Sequence, residues 1–136
     1  MRAGLPPYPT GETGKVATPI AASSGNVAAG VAAATLAAGG ANVMTYISGF
    51  EFTANGATGQ STVQLQVTGV TGGPLVYNIN VPAGVQVAIP VLSVQFNPPL
   101  QASALNTAIV ATVPSLGAGN VNSAVNAHGY QLPYSS

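Results

Sequence analysis

Charge is nearly missing from this chain. Among its 136 residues only Arg2, Glu12, Lys15 and Glu51 are formally charged, 3% against the roughly 25% usual in soluble proteins, and residues 52–136 hold no Asp, Glu, Lys or Arg. Acid-base catalysis and electrostatic recognition have little to work with, so shape, apolar contact and neutral hydrogen bonds must carry the function. Two basic residues cannot neutralise several phosphates, and nucleic acid is not an expected partner. Cysteine is absent too, which excludes disulfides and thiolate metal sites and is compatible with a reducing cytoplasm. The longest apolar run, residues 27–38, is mostly Ala and falls short of the roughly 20 residues that cross a membrane. The opening MRAGLPPYPTGE has no apolar core ahead of its prolines and is not read as a signal peptide.

What is present divides the chain in two. Residues 1–24 contain Pro6, Pro7, Pro9 and Pro19, Gly4, Gly11 and Gly14, and three of the four charges. Such a segment builds neither a helix nor a central strand, and is expected to be an extended N-terminal arm, a disordered tail or a strap ordered on a neighbour. Residues 25–136 are long enough for one domain with a real core. With no net charge, nothing repels one copy from another, and an assembly is expected.

Within the domain the dominant period is two. Val63, Leu65 and Val67 alternate with Gln64 and Gln66, and Leu75, Tyr77, Ile79 and Val81 alternate with Asn78 and Asn80. The intervening residues 69–74, with Gly72 and Gly73, suit a hairpin that pairs these two strands. Further strands are expected over residues 46–53, from 85 through Phe96 with Pro98 and Pro99 as the stop, over 107–113, and over 121–130. Asn55-Gly56 is a tight-turn pair. The Ala-rich residues 27–37 read as a strand of small side chains, since Gly30 and the lack of a polar face oppose a helix; a helix is the alternative. Seven or eight short strands without a helical pattern predict an all-β, jelly-roll-like antiparallel β-sandwich carrying the extended N-terminal arm.

Chemical motifs are few. Thr13-Gly14-Lys15-Val16 resembles the end of a phosphate loop, but Pro9 stands where the first Gly belongs and Val16 where Ser or Thr belongs. His128 has no Asp to orient it and only Glu12 or Glu51 as a substitute, so a catalytic base is not expected. One His and two distant Glu fall short of a metal site, and no cofactor is expected. Glu51 lies between Phe50 and Phe52, so alternation places it opposite both rings, either solvated or paired with Lys15 or Arg2 of another copy. Tyr46, Tyr77, Tyr130 and Tyr134 read first as packing residues, although rings beside Asn and Gln also hold sugars, which leaves a non-catalytic carbohydrate-binding module for a surface glycan as the alternative.

The runs Tyr46-Ile-Ser-Gly-Phe50, Gly56-Ala-Thr58, Val67-Thr-Gly-Val-Thr-Gly-Gly73, Val81-Pro-Ala-Gly84, Phe96-Asn-Pro-Pro-Leu100, Gly117-Ala-Gly-Asn120 and His128-Gly-Tyr130 together resemble small tailed-bacteriophage virion proteins of the capsid decoration, or cement, type. The resemblance covers residues 43–130 and implies a non-enzymatic β-sandwich, a homo-oligomer and often a trimer. Such a protein would be made in the host cytoplasm and would sit on the outer surface of the virion, bridging major capsid proteins. It brings no catalytic residues. The candidate partner contacts are Arg2, Tyr8, Glu12 and Lys15 in the arm, Glu51, and the loop residues Asn97, Pro98, Pro99, Leu100, Asn120, Val121 and Asn122.

Overall fold

The period-two pattern becomes eight strands. A computed structural model describes residues 17–57 and 61–134, with backbone alone at 61 and 85–90. The strands are β1 (Thr18–Ser23), β2 (Ala32–Leu36), β3 (Val43–Ala57), β4 (Ser61–Thr68), β5 (Leu75–Val81), β6 (Gly84–Gln101), β7 (Ile109–Val113) and β8 (Asn122–Pro133), and the described residues form no helix. Pairing is nested and antiparallel: β1 with β8, β2 with β7, β3 with β6, and β4 with β5. Additional β3–β8 and β4–β7 pairing completes two sheets, β1-β8-β3-β6 and β2-β7-β4-β5. This is the jelly roll, two sheets wrapped over one core.

The core is built by alternation. Phe50 and Phe52 of β3, Leu65 and Val67 of β4, Ile109 and Val113 of β7 and Val125 of β8 are fully buried. Phe50 joins the sheets: its ring meets Tyr77 of β5 edge-on at 5.3 Å and lies 6.0 Å from Phe96 of β6. In β2, Ala32, Ala34 and Leu36 face inward while Ala33 and Thr35 face out. A burial period of two settles the Ala-rich stretch as a strand and removes the helical alternative, although only five residues adopt it. The hairpin expected between β4 and β5 forms over seven register pairs without interruption.

Three expectations need correction. First, β1 lies inside the segment assigned to the arm, so the folded domain starts before residue 25; an edge strand accommodates Pro19, because its missing N–H need not cost a ladder bond. Second, Pro98 and Pro99 do not stop β6. Register jumps from Ile47↔Leu100 to Gly49↔Gln95, so residues 96–99 bulge out and pairing resumes beyond them. Third, Asn55-Gly56 is not a turn but lies within β3 at a register shift, where Gly56 supplies the positive φ of 83°. Beyond these expectations, β3 carries an extra residue at Ser48: Ile47 pairs with Gly129 and Gly49 with His128. That bulge inverts the alternation, so Thr45 and Ile47 face the core before it and Phe50 and Phe52 after it.

Candidate functional site

The bulge in β3 aims Ser48 across the outer face of the first sheet at β8. Its Oγ lies 3.0 Å from Nδ1 of His128 and 3.0 Å from the His128 carbonyl oxygen. On the far side of the ring, Nε2 lies 3.1 Å from Oε2 of Glu51, two strand positions beyond the bulge. The only charged side chain in the β region therefore pairs with the only histidine, within one copy of the chain. Glu51 is opposite Phe50 and Phe52 as alternation required, with 36% of its side chain exposed and 39% of that of His128. The inter-subunit partners Lys15 and Arg2 lie outside the described residues, as do Tyr8 and Glu12.

Ser, His and Glu in a chain suggest an activated nucleophile, so the proton positions matter. Ser48 has one hydroxyl proton and two acceptors within reach. If it donates to the carbonyl, Nδ1–H must donate to Oγ; if it donates to Nδ1, the carbonyl loses that bond. All three contacts are satisfied at once only when a proton also lies between Nε2 and the Glu51 carboxyl, on either partner. The arrangement thus holds the imidazole of β8 between two side chains of β3, and its contact with Glu51 sits at a partly exposed position where such pairs contribute little. Among the described residues no three His, Cys, Asp or Glu side chains come together, and Glu51 with His128 offer fewer donors than the three or four of a zinc centre.

Farther along the same face the tyrosines form a cluster. Tyr46 and Tyr130, register partners on β3 and β8, stack at 4.7 Å with planes 16° apart, and the Tyr46 hydroxyl lies 2.6 Å from that of Tyr134. Such close stacking is possible because Gly129 brings β8 against β3: a Cβ there would collide with the Tyr46 carbonyl oxygen. Burial, then the hydrogen bond and charge of Tyr134, raise the Tyr46 phenol far above its ordinary value of about 10. Burial, then Tyr134, raise Tyr130 as well, and burial alone raises Tyr77. Tyr130 is buried by its neighbours and Tyr77 meets Phe50 inside the sandwich, so the rings are committed to packing.

The outer face of the second sheet has a different character. Thr62, Gln64 and Gln66 of β4, Thr112 of β7 and Asn78 and Asn80 of β5 line it, with Val31 60% and Val76 46% exposed. A shallow groove crosses it between Val31, Gln64, Gln66 and Thr112. Among the described residues no titratable group stands on it.

The loop candidates divide. Asn97 and Pro98 are exposed on the β6 bulge, whereas Pro99 is half-buried and Leu100 packs on the core. Asn122 is exposed and donates to Oδ1 of Asn55 at 2.9 Å, and Val121 is half-buried. Asn120 is buried and internally committed: Nδ2 faces the carbonyls of Asn55, Gly56 and Asn122 at 2.9, 3.1 and 2.8 Å, and Oδ1 accepts from Ala29 N–H at 3.2 Å. It ties the end of β3, the start of β8 and the loop before β2 together at one end of the sandwich, and both its amide atoms are engaged there. Ser48 and the Tyr46–Tyr134 contact were not legible beforehand, because both join residues 80 or more positions apart.

No family model and no curated protein matches the chain. Two solved structures resemble it faintly, both of exo-β-1,3-galactanase from Phanerochaete chrysosporium with β-1,3-galactotriose, at 17% and 16% identity and a TM-score of 0.33. The matches cover 82% and 84% of this chain but only 27% and 30% of the galactanase chains, so this chain corresponds to less than a third of their length.

Proposed function

We propose that this protein is a non-enzymatic capsid decoration protein, a jelly roll that associates with its own copies and bridges major capsid proteins on the outer surface of a virion. The observation that carries the reading is the second sheet's outer face, which is wide, regular and uncharged. Its Thr, Gln and Asn groups make neutral hydrogen bonds, and its exposed Val31 and Val76 gain by burial. Such a surface suits fixed contact with protein better than capture of a charged ligand. Binding would act by mass action, since copies that bind only the assembled shell favour it over the open one. The alternative of a glycan-binding module has weaker support, because the tyrosine rings that would serve as its platform pack against other rings.

Undecorated capsids mixed with the purified protein test this reading. Saturable binding that raises the temperature of shell disruption and changes little between low and moderate salt is expected, because few charges contribute. Absence of binding, joined to retention of one glycan on an array, would replace it with the carbohydrate module.

A further inference from the structure

Among the described residues the jelly roll has four edge strands, β1 and β6 on one sheet and β2 and β5 on the other. Free edges invite pairing with other chains, and proteins blunt them with charge, proline, bulges or shortness. This chain has no charge to spend there, so the other devices are decisive. Strand β1 carries Pro19. Strand β6 contains Pro90, Pro98 and Pro99 and is broken by register shifts along β3. Strand β2 is five residues long, and the carbonyl just beyond it, Ala37 O, is occupied by Thr45 Oγ1 at 3.1 Å and Gln131 Nε2 at 2.8 Å.

Strand β5 has none of these protections. Its seven residues, LVYNINV, include no proline and no charge, and their register with β4 is unbroken. Alternate backbone N–H and C=O groups along it point away from β4, and no backbone hydrogen bond to another element of the described chain receives them. Its apolar row is incompletely covered, with Leu75 and Tyr77 half-buried and Val76 46% exposed on the opposite face.

The segment is also complementary to itself. In an antiparallel pair of two copies, a two-fold axis at Asn78 is the placement that uses all seven residues. Leu75 then meets Val81 and Tyr77 meets Ile79 on the core side, apolar against apolar. On the outer side Val76 meets Asn80, and the two Asn78 amides face each other across the axis. We infer that β5 is a self-pairing edge, where two copies join antiparallel about Asn78 into one continuous eight-stranded sheet. The contact is isologous, the commonest symmetry of soluble homo-oligomers, and the uncharged edges meet without repulsion. The inference rests on the self-association in the proposed function but not on the capsid.

The test uses the purified full chain with no capsid, so its failure is distinguishable from failure of the decoration reading. Light scattering over a dilution series should show a reversible dimer. Asn78→Lys and Asn78→Glu, each outward-facing, should each weaken it by roughly fivefold or more, since like charges then oppose each other at the axis. An equimolar mixture of the two should restore it, which a folding defect in either variant would not do. Amide hydrogen exchange of the unmodified protein supplies a second readout: residues 75–81 should become slower with rising concentration. A monomer at all concentrations, an assembly indifferent to both charges, or association without added protection in β5 would each overturn the inference.

Discussion

The two sheets are built from similar residues, yet they differ in how each holds its shape. The second sheet, β2-β7-β4-β5, has unbroken register, no titratable side chain on its outer face, and a core side made by simple alternation. The first, β1-β8-β3-β6, carries every register shift between paired strands, the Glu51–His128 pair, the tyrosine cluster and the Asn120 clasp. Generic packing suffices for the regular sheet. The irregular one depends on particular side chains that answer particular interruptions: Ser48 follows from a bulge, Tyr46 and Tyr130 from the close approach at Gly129, and Asn120 from the register shift at the end of β3 that it bridges to β8.

The contrast can be broken most forcefully at the residue both sheets share. Phe50→Ala removes the ring that joins β3 to Tyr77 of β5, and should cost about 3–5 kcal/mol in urea unfolding while leaving one cooperative transition. Two resolved transitions would mean that the sheets do not share a core. Next in size is Asn120→Ala, which takes the side-chain donor from the Gly56 and Asn122 carbonyls and the acceptor from Ala29 N–H, while the Asn55 carbonyl keeps Val121 N–H; a loss of about 2–3 kcal/mol in the same assay is expected, and a loss below about 0.5 would show that water replaces the clasp.

A smaller effect should appear at high pH. Tyr46 and Tyr130 have raised values in the folded state, so above about pH 10 the unfolded chain releases protons that the folded chain retains, and stability must fall as pH rises. Below that pH the contribution is fully present. Thermal unfolding measured on both sides of pH 10 should show the decline, and Tyr46→Phe should flatten it. Least of all, Glu51→Gln should change stability by under about 1 kcal/mol, because both side chains of the pair are at least about a third exposed. A larger loss would make the Glu51–His128 contact a structural requirement of the irregular sheet.

The same contrast explains what the sequence made legible. Strands β4, β5, β7 and most of β8 follow from alternation because nothing interrupts them, and Glu51 was placed correctly between Phe50 and Phe52. Where β3 and β6 bulge, local rules misled: Asn55-Gly56 has the composition of a turn and Pro98-Pro99 that of a terminator, but neighbouring strands supply enough pairing to carry the chain through both. Pro19 made β1 look like part of an arm because its compensation, the partner strand β8, lies more than a hundred residues away. Of the candidate site, the scarcity of charge was visible at once. The Ser48–His128–Glu51 contacts were not, since they require the register of β3 on β8.

That nested pairing also sets an order of events. The β4–β5 hairpin closes a short loop, β3–β6 and β2–β7 enclose progressively longer ones, and β1–β8 joins the two ends of the fold, so each outer pair costs more chain entropy than the one inside it. Such a topology is slow to fold. During synthesis the first sheet cannot close until residues 122–133 have left the ribosome, whereas β4 and β5 can pair long before. Once residues 75–81 have emerged, the nascent chain exposes an uncharged hairpin edge until the later strands follow, and crowding of ribosomes on one message would bring these edges together before the sandwich has formed.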